Sequence, residues 1–369
     1  MSKIFLALRA IITRRVTIQF DKVGFDFKNV PARRLYTFIS NGLAATFKSS
    51  RVWALPTILQ IEPGNICNLR CPVCHVVTEN KAKGFMTLAH FKRLIDEVGD
   101  ATFLIHFWGW GEPFMNPDIY EMIVYGKSKG LQFISSTNGH FFEQPGAVDN
   151  LILSGLDVLI FALDGVDSET YERYRHRGDF DRAVQGLERL LQRRRELGSL
   201  TPRINLRMLV TRGNEHQIEA MKALAQKWQV DIFSLKTMYS FDNEKEGRHI
   251  IPRNPLYQRS TYDADGNPVR TTNRCKKFWN HPVVYFDGEV VLCDYYNREE
   301  LSLGRIFDGA GNFRTVWNGA VARAIRKRFR ANQLAEVRCG NCIMNYASVD
   351  RCVSHAFRLE PLQAGGPDA

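Results

Sequence analysis

The sequence predicts an α/β fold, a partial (β/α)6 parallel barrel followed by a small cysteine-bearing domain. Two observations carry this. From Thr57 onward, short apolar runs alternate six times with amphipathic helical stretches. The eight cysteines fall into two groups on either side of a cysteine-free stretch, residues 75–274.

The strands expected in order are Ile58–Glu62, Phe103–Trp108, Gln132–Ser136, Val158–Leu163, Ile204–Val210 and Ile232–Thr237, each a short run rich in β-branched or aromatic residues. The helical periods between them cover Leu88–Val98, Pro117–Lys129, Ala147–Ser154, Ser168–Tyr174, Phe180–Leu197 and Glu215–Gln226. Parallel barrels carry their chemistry on the loops after the strands, so those loops hold the candidate site. Residues 241–274 are polar and turn-rich and read as a connector. A hairpin follows, from Val283–Phe286 through Asp287-Gly288 to Val290–Leu292. The basic helix Val321–Arg330 is expected to turn Arg323, Arg326, Lys327, Arg328 and Arg330 to solvent. The organisation read from these signals is a basic extension 1–55, a barrel 56–240, the connector, a cysteine domain 275–358 and a tail 359–369.

Composition, 44% hydrophobic and 24% charged, suits a globular protein with a large core. The net charge of +11 is concentrated: residues 1–60 hold ten Lys or Arg against Asp21 and Asp26. Arg9 interrupts the apolar run at the N-terminus, which argues against a secretory signal, and no segment reaches the length of a membrane span. A cytoplasmic protein is expected. The first 50 residues are read as a helix packed on the barrel, with a short interfacial helix making peripheral membrane contact as the second expectation. Nucleic acid is not expected, because no stacking aromatics are interleaved with the basic residues.

Cys67, Cys71 and Cys74 form a C-x3-C-x2-C triplet directly after the first strand. Structural zinc and structural clusters are closed by four protein ligands, so three thiolates leave one metal coordination position open to chemistry. In the second group, Cys275 and Cys293 are followed by a C-x2-C pair, Cys339 and Cys342, and by Cys352. Four cysteines suit a closed iron–sulfur cluster or a tetrahedral zinc equally well.

The triplet resembles the signature of the radical SAM enzymes, where three cysteines hold a [4Fe–4S] cluster whose open iron chelates S-adenosyl-L-methionine (SAM) for cleavage to a 5′-deoxyadenosyl radical. Further segments are similar to family elements in the expected order. Gly109-Trp110-Gly111-Glu112-Pro113 resembles a Gly-Gly-Glu-Pro segment, which implies that Gly111 and Glu112 grip the methionine amino group. Ser135-Ser136-Thr137-Asn138-Gly139 resembles a Thr-Asn-Gly segment and Ala162-Leu163-Asp164-Gly165 a Ser-x-Asp-Gly element. Arg175-His176-Arg177-Gly178-Asp179-Phe180 resembles an Arg-x-x-Gly-x-Phe segment whose guanidinium approaches the cofactor carboxylate. Thr137, Asn138, Asp164 and Arg175 are therefore cofactor-binding candidates by resemblance. The chain departs from the family at Val73, where an aromatic is usual, and at Ala162, where relatives place a hydroxyl.

The second cysteine group resembles the auxiliary-cluster modules called SPASM and their shortened form, twitch; the four-ligand layout is similar to the twitch of 2-deoxy-scyllo-inosamine dehydrogenase. The resemblance implies one auxiliary [4Fe–4S] cluster on Cys275, Cys293, Cys339 and Cys342. Cys352 is left as a core thiol, a replacement ligand or a hydrogen-atom donor. By alternation, Arg207 on the fifth strand and Lys236 on the sixth are candidates to take a substrate proton or bind an acid group.

The function implied is a radical SAM oxidoreductase. It abstracts hydrogen from a small-molecule substrate (sugar, aminocyclitol or lipid-linked) and passes the second electron to the auxiliary cluster, served by a flavodoxin- or ferredoxin-type donor. The alternatives are an epimerase using Cys352, a ribosomal-peptide maturase, and a non-catalytic electron-transfer or scaffold protein.

Overall fold

The computed structural model describes residues 3–74, 82–238, 249–265, 269, 275–293, 301–309, 311–332, 339, 342 and 353–359. Cys352, residues 241–248, 266–268 and 270–274 of the connector, and the tail beyond 359 lie outside them. The α/β class is as expected, and the chain divides into two compact units.

The first unit takes residues 1–66, 82–134 and 268–347. It opens with α1 (Lys3–Thr13), the antiparallel hairpin β1 (Val16–Phe20) and β2 (Val23–Phe27), and α2 (Ala32–Thr46). Arg34 of α2 fastens this segment to the next. Its guanidinium donates to the carbonyls of Gly99, Lys129 and Gly130 at 2.7–2.9 Å. Those carbonyls end α3 (Leu88–Val98) and α4 (Ile119–Ser128), and helix C-termini attract a cation. Burial holds the guanidinium below its ordinary pKa, with Asp100 acting in the opposite sense.

Strand β3 (Ile58–Ile61) pairs in parallel with β4 (Leu104–Phe107). Along β4 the side chains alternate: Phe107 faces the helices, with its ring centroid 5.4 Å from that of Phe91 on α3. Gln60 and His106, opposite one another in the register, occupy the other face. On its free side β3 pairs in parallel with β9 (Val283–Val284), which continues antiparallel through β10 (Glu289–Val291) to β11 (Ser302–Arg305). The β9–β10 turn is longer than expected. The N–H of Tyr285 donates to the carbonyl of Glu289 at 2.9 Å, so Phe286, Asp287 and Gly288 all lie in the loop.

Helices α10 (Phe313–Trp317) and α11 (Ala320–Ala331) complete this unit. One expectation is overturned there. Arg326 is fully buried: it donates to the carbonyls of Phe278 and Trp317 at 2.9 and 3.0 Å, and its guanidinium lies over the Trp317 ring. Burial lowers its pKa to about 9.

The second unit takes residues 67–81, 135–267 and 348–369, the chain crossing between units within β5 (Gln132–Thr137). Here β6 (Val158–Ala162), β7 (Arg203–Val210) and β8 (Ile232–Thr237) pair in parallel. They are joined by α5 (Ala147–Leu153), α6 (Ser168–Tyr174), α7 (Phe180–Glu196) and α8 (Ile218–Trp228). The residues Asp167 and Asp179 cap α6 and α7, each carboxylate accepting a main-chain N–H three residues on. A further strand, β12 (Val353–Arg358), pairs antiparallel with β8.

Candidate active site

The cysteine triplet leaves β3 on a loop whose base is stapled before any metal is considered. Asn65 accepts from the N–H of Gly84 (3.0 Å), donates its side-chain amide to the carbonyl of Ala82 (2.8 Å), and donates its own N–H to the carbonyl of Gly84 (3.2 Å). Within the loop, the N–H of Cys74 donates to the carbonyl of Cys71 at 3.1 Å, a tight turn that brings the C-x2-C pair round. Three nitrogen donors face the sulfurs. The N–H of Leu69 lies 3.4 Å and the amide of Asn138 4.0 Å from Cys67 Sγ, and Arg175 Nη1 lies 3.8 Å from Cys71 Sγ. Donors around thiolates offset their charge and tune a cluster's potential. Among the described residues, no three His, Cys, Asp or Glu side chains close on a single ion. The donor set, three thiolates with N–H groups directed at two of them, fits a cluster.

Arg175 Nε donates to Asp164 Oδ2 at 2.6 Å, and Asp164 Oδ1 accepts from the N–H of Leu209 at 2.7 Å. Asp164 is fully buried and both carboxylate oxygens are engaged by the protein. Its placement makes it an orienter of Arg175. Burial lowers the Arg175 pKa, but Asp164 first and then the Cys71 sulfur outweigh it, leaving the guanidinium well above its ordinary value.

Asn138 bridges to the triplet loop, its amide donating to Asn68 Oδ1 at 2.8 Å, while Thr137 Oγ1 accepts from the N–H of Gly139. His140 organises this turn and gave no signal in the sequence. Its Nε2 must accept, because its partner at 2.9 Å is the N–H of Asp179; Nδ1 therefore carries the proton and donates to the carbonyl of Asn138 at 3.0 Å. Burial lowers its pKa, which favours that neutral tautomer.

After β4, the Gly109–Pro113 loop presses on the triplet's stem. The N–H of Glu112 donates to the carbonyl of Ile66 at 2.9 Å. A Cβ at Gly111 would stand 2.5 Å from the carbonyl oxygen of Gly64, and one at Gly109 would stand 2.3 Å from Glu62 Oε2. Both positions demand glycine through close approach. Glu112 is buried, with Oε1 accepting from the N–H of Phe114. Burial and then the Glu112 charge push the Tyr120 hydroxyl up to about 12. Glu62, missed in the sequence because it belongs to no motif, accepts the N–H of Trp110 at 2.8 Å.

On β7 and β8, Arg207 Nε donates to Ser234 Oγ at 3.1 Å and Ser234 Oγ donates to Asn205 Oδ1 at 2.7 Å. Lys236 stands opposite Leu209 in the register, one pleat beyond Ser234. Cys352 lies outside the described residues. In the first unit, Cys275 precedes α9 (Lys277–Asn280) and Cys293 follows β10. The N–H of Cys342 donates to the carbonyl of Cys339 at 3.3 Å, as that of Cys74 does to Cys71. All seven described cysteines are thiols.

Comparison with known proteins gives these loops their family. Residues 61–228 match the radical SAM superfamily, and residues 275–343 match the iron–sulfur cluster-binding SPASM domain. The chain is a radical SAM protein with a C-terminal SPASM module, and its cofactors are SAM, the [4Fe–4S] cluster that binds it, and auxiliary iron–sulfur ligation in the SPASM module.

Among relatives, the mycofactocin maturase MftC of Mycobacterium tuberculosis is 27% identical over 337 residues, 85% of this chain and 82% of that one. The AdoMet-dependent heme synthase of Methanosarcina barkeri is 34% identical over 124 residues, 33% of this chain and 35% of that one. Among solved structures, Streptococcus suis SuiB bound to S-adenosylmethionine superposes with a TM-score of 0.58 at 15% identity, covering 79% of this chain and 74% of that one. The protein anSMEcpe with bound AdoMet and a Cp18Cys peptide gives 0.54 at 16% identity, covering 78% and 86%. These structural likenesses show the fold. The small-molecule substrate expected from the sequence finds no support in these comparisons. Among the described residues no helix is long and apolar enough to cross a membrane.

Proposed function

We propose that this protein is a radical SAM maturase acting on a peptide substrate. The observation that carries the proposal is the likeness to a maturase along 85% of the chain, through both the radical SAM and the cluster-binding modules. The peptide-bound SuiB structure, TM-score 0.54 at 14% identity, has a fold of this kind.

When bound, the cluster and SAM supply one-electron reduction and hydrogen-atom abstraction. Cys67, Cys71 and Cys74 hold that cluster in the proposed arrangement, with the Leu69, Asn138 and Arg175 donors offsetting thiolate charge. In the first unit the buried Glu112 would accept from the methionine ammonium of the cofactor; in the second, Arg175, oriented by Asp164, would offer its remaining nitrogens to a carboxylate. Cys275, Cys293, Cys339 and Cys342 ligate the auxiliary cluster. The Asn205, Ser234 and Arg207 chain, with Lys236, forms a polar wall suited to hydrogen-bonding a peptide backbone or carboxylate.

The test is anaerobic reconstitution followed by incubation with SAM, dithionite and synthetic peptides corresponding to short reading frames beside the gene. Release of 5′-deoxyadenosine matched by a mass change in one peptide is expected. Turnover coupled to a sugar or aminocyclitol, with every peptide inert, would overturn the peptide reading while leaving the radical SAM class intact.

A further inference from the structure

Trp110 interrupts the Gly109–Pro113 loop with the largest of the twenty side chains. It packs, partly buried, against Val283, Tyr285 and Val291, a buried cluster on the β9–β10 hairpin. The two ends of that hairpin segment are Cys275 and Cys293, both auxiliary-site thiols. A second tie runs in parallel. The N–H of Glu62 donates to the carbonyl of Val284 on β9 at 2.9 Å, and the Glu62 carboxylate holds the Trp110 N–H at 2.8 Å. Trp110 is thus fixed to the hairpin by its ring, and through Glu62 by its backbone. The next two residues in the chain are Gly111 and Glu112.

We infer that Trp110 is a positioning residue that couples the auxiliary module to SAM binding, so that metal ligation at Cys275 and Cys293 and occupancy of the SAM site strengthen one another. The inference rests on the cofactor role proposed above for Gly111 and Glu112. The physical reason is loop freedom. A cluster ligated by Cys275 and Cys293 pins the segment α9–β9–β10 at its two ends and reduces its conformational freedom. The surface formed by Val283, Tyr285 and Val291 then holds still, and Trp110 with it. The SAM loop is therefore ordered before its ligand arrives, and SAM no longer bears that ordering cost. Coupling of this kind is reciprocal.

The experiment measures the SAM dissociation constant of the full chain, anaerobically reconstituted, by the change in the electron paramagnetic resonance signal of the reduced cluster during titration. Iron content is determined on every sample. Five proteins are compared: wild type, Trp110→Phe, Trp110→Ala, Cys293→Ala and the Trp110→Ala/Cys293→Ala double variant. Trp110→Phe keeps an aromatic ring on the hairpin and is expected within about twofold of wild type; Trp110→Ala is expected to weaken SAM binding about tenfold, a typical coupling magnitude. Cys293→Ala is expected to weaken binding by a similar factor in the wild-type background and to add nothing in the Trp110→Ala background. Effects that multiply in the double variant, or a Trp110→Ala protein with wild-type affinity, would overturn the coupling. Absence of SAM binding by fully loaded wild type would instead overturn the cofactor role of the loop. Should the Trp110→Ala proteins fold poorly, Trp110→Leu alone and with Cys293→Ala take their place, with non-additive effects expected and multiplying effects overturning the coupling.

Discussion

Replacing Asp164 by Asn strips the charge from a fully buried carboxylate whose partner, Arg175, keeps 16% of its side chain accessible. The shape is nearly unchanged, and Asn Oδ1 can still accept from the N–H of Leu209, so that hydrogen bond survives. What is lost is the countercharge at 2.6 Å from Arg175 Nε. Breaking a buried pair by neutralising one partner costs ~3–5 kcal/mol, and the residual solvent access of Arg175 with the Cys71 sulfur nearby points to the lower end, about 3 kcal/mol. With a urea dependence of about 3 kcal/mol per M, the unfolding midpoint falls by roughly 1 M. The assay is urea denaturation under anaerobic conditions with bound iron measured throughout. Arg175→Met in the Asp164→Asn background removes the stranded cation and is expected to recover more than half of the loss. A midpoint shift below about 0.3 M for Asp164→Asn, or a second substitution that deepens the loss, would refute the account.

Gly111→Ala places a Cβ 2.5 Å from the Gly64 carbonyl oxygen and 2.9 Å from that of Ile66. SAM affinity in a titration is expected to fall by more than about tenfold with iron content unchanged. The triple Cys67/Cys71/Cys74→Ala variant should bind about four irons where wild type binds about eight, and equal iron in both would remove the triplet from the metal site. His106 is fully buried, and desolvation, then His281 and Lys277, hold its pKa well below 6.5. Below pH ~6.5 the unfolded chain takes up a proton there that the folded chain refuses, so stability is lost as pH falls. His106→Phe is expected to remove up to about 2 kcal/mol of the loss between pH 7 and pH 5, read from denaturation midpoints at the two values. An unchanged acid-side loss would contradict that.

The helices and parallel strands were legible because their periods are long and unbroken: Leu88–Val98, Ser168–Tyr174 and Ile232–Thr237 fall where the pattern puts them. The β1–β2 hairpin was not, although Val16, Ile18 and Phe20 alternate properly and Val23, Phe25 and Phe27 do too. Its turn is Asp21-Lys22, both residues at positive φ, 46° and 63°, a conformation usually announced by Asn-Gly or Gly. Arg326 was misread for a related reason. One arginine in a basic helix must face inward, and only the carbonyls of Phe278 and Trp317, distant in sequence, say which. At the site, the triplet and the Gly-x-Gly-Glu-Pro segment were legible as motifs. Glu62 and His140 were not, because each acts on backbone groups brought near by the fold.

The staple at Asn65 bears on how this protein acquires its metal. Three hydrogen bonds close the stem of the triplet loop with no contribution from iron. A cluster delivered to the folded chain therefore meets thiols tethered to a closed stem, and much of the loop-closure entropy has been lost already. A chain stripped of iron is therefore expected to keep this stem closed and to take up a cluster again without refolding, read as iron rebinding under native conditions.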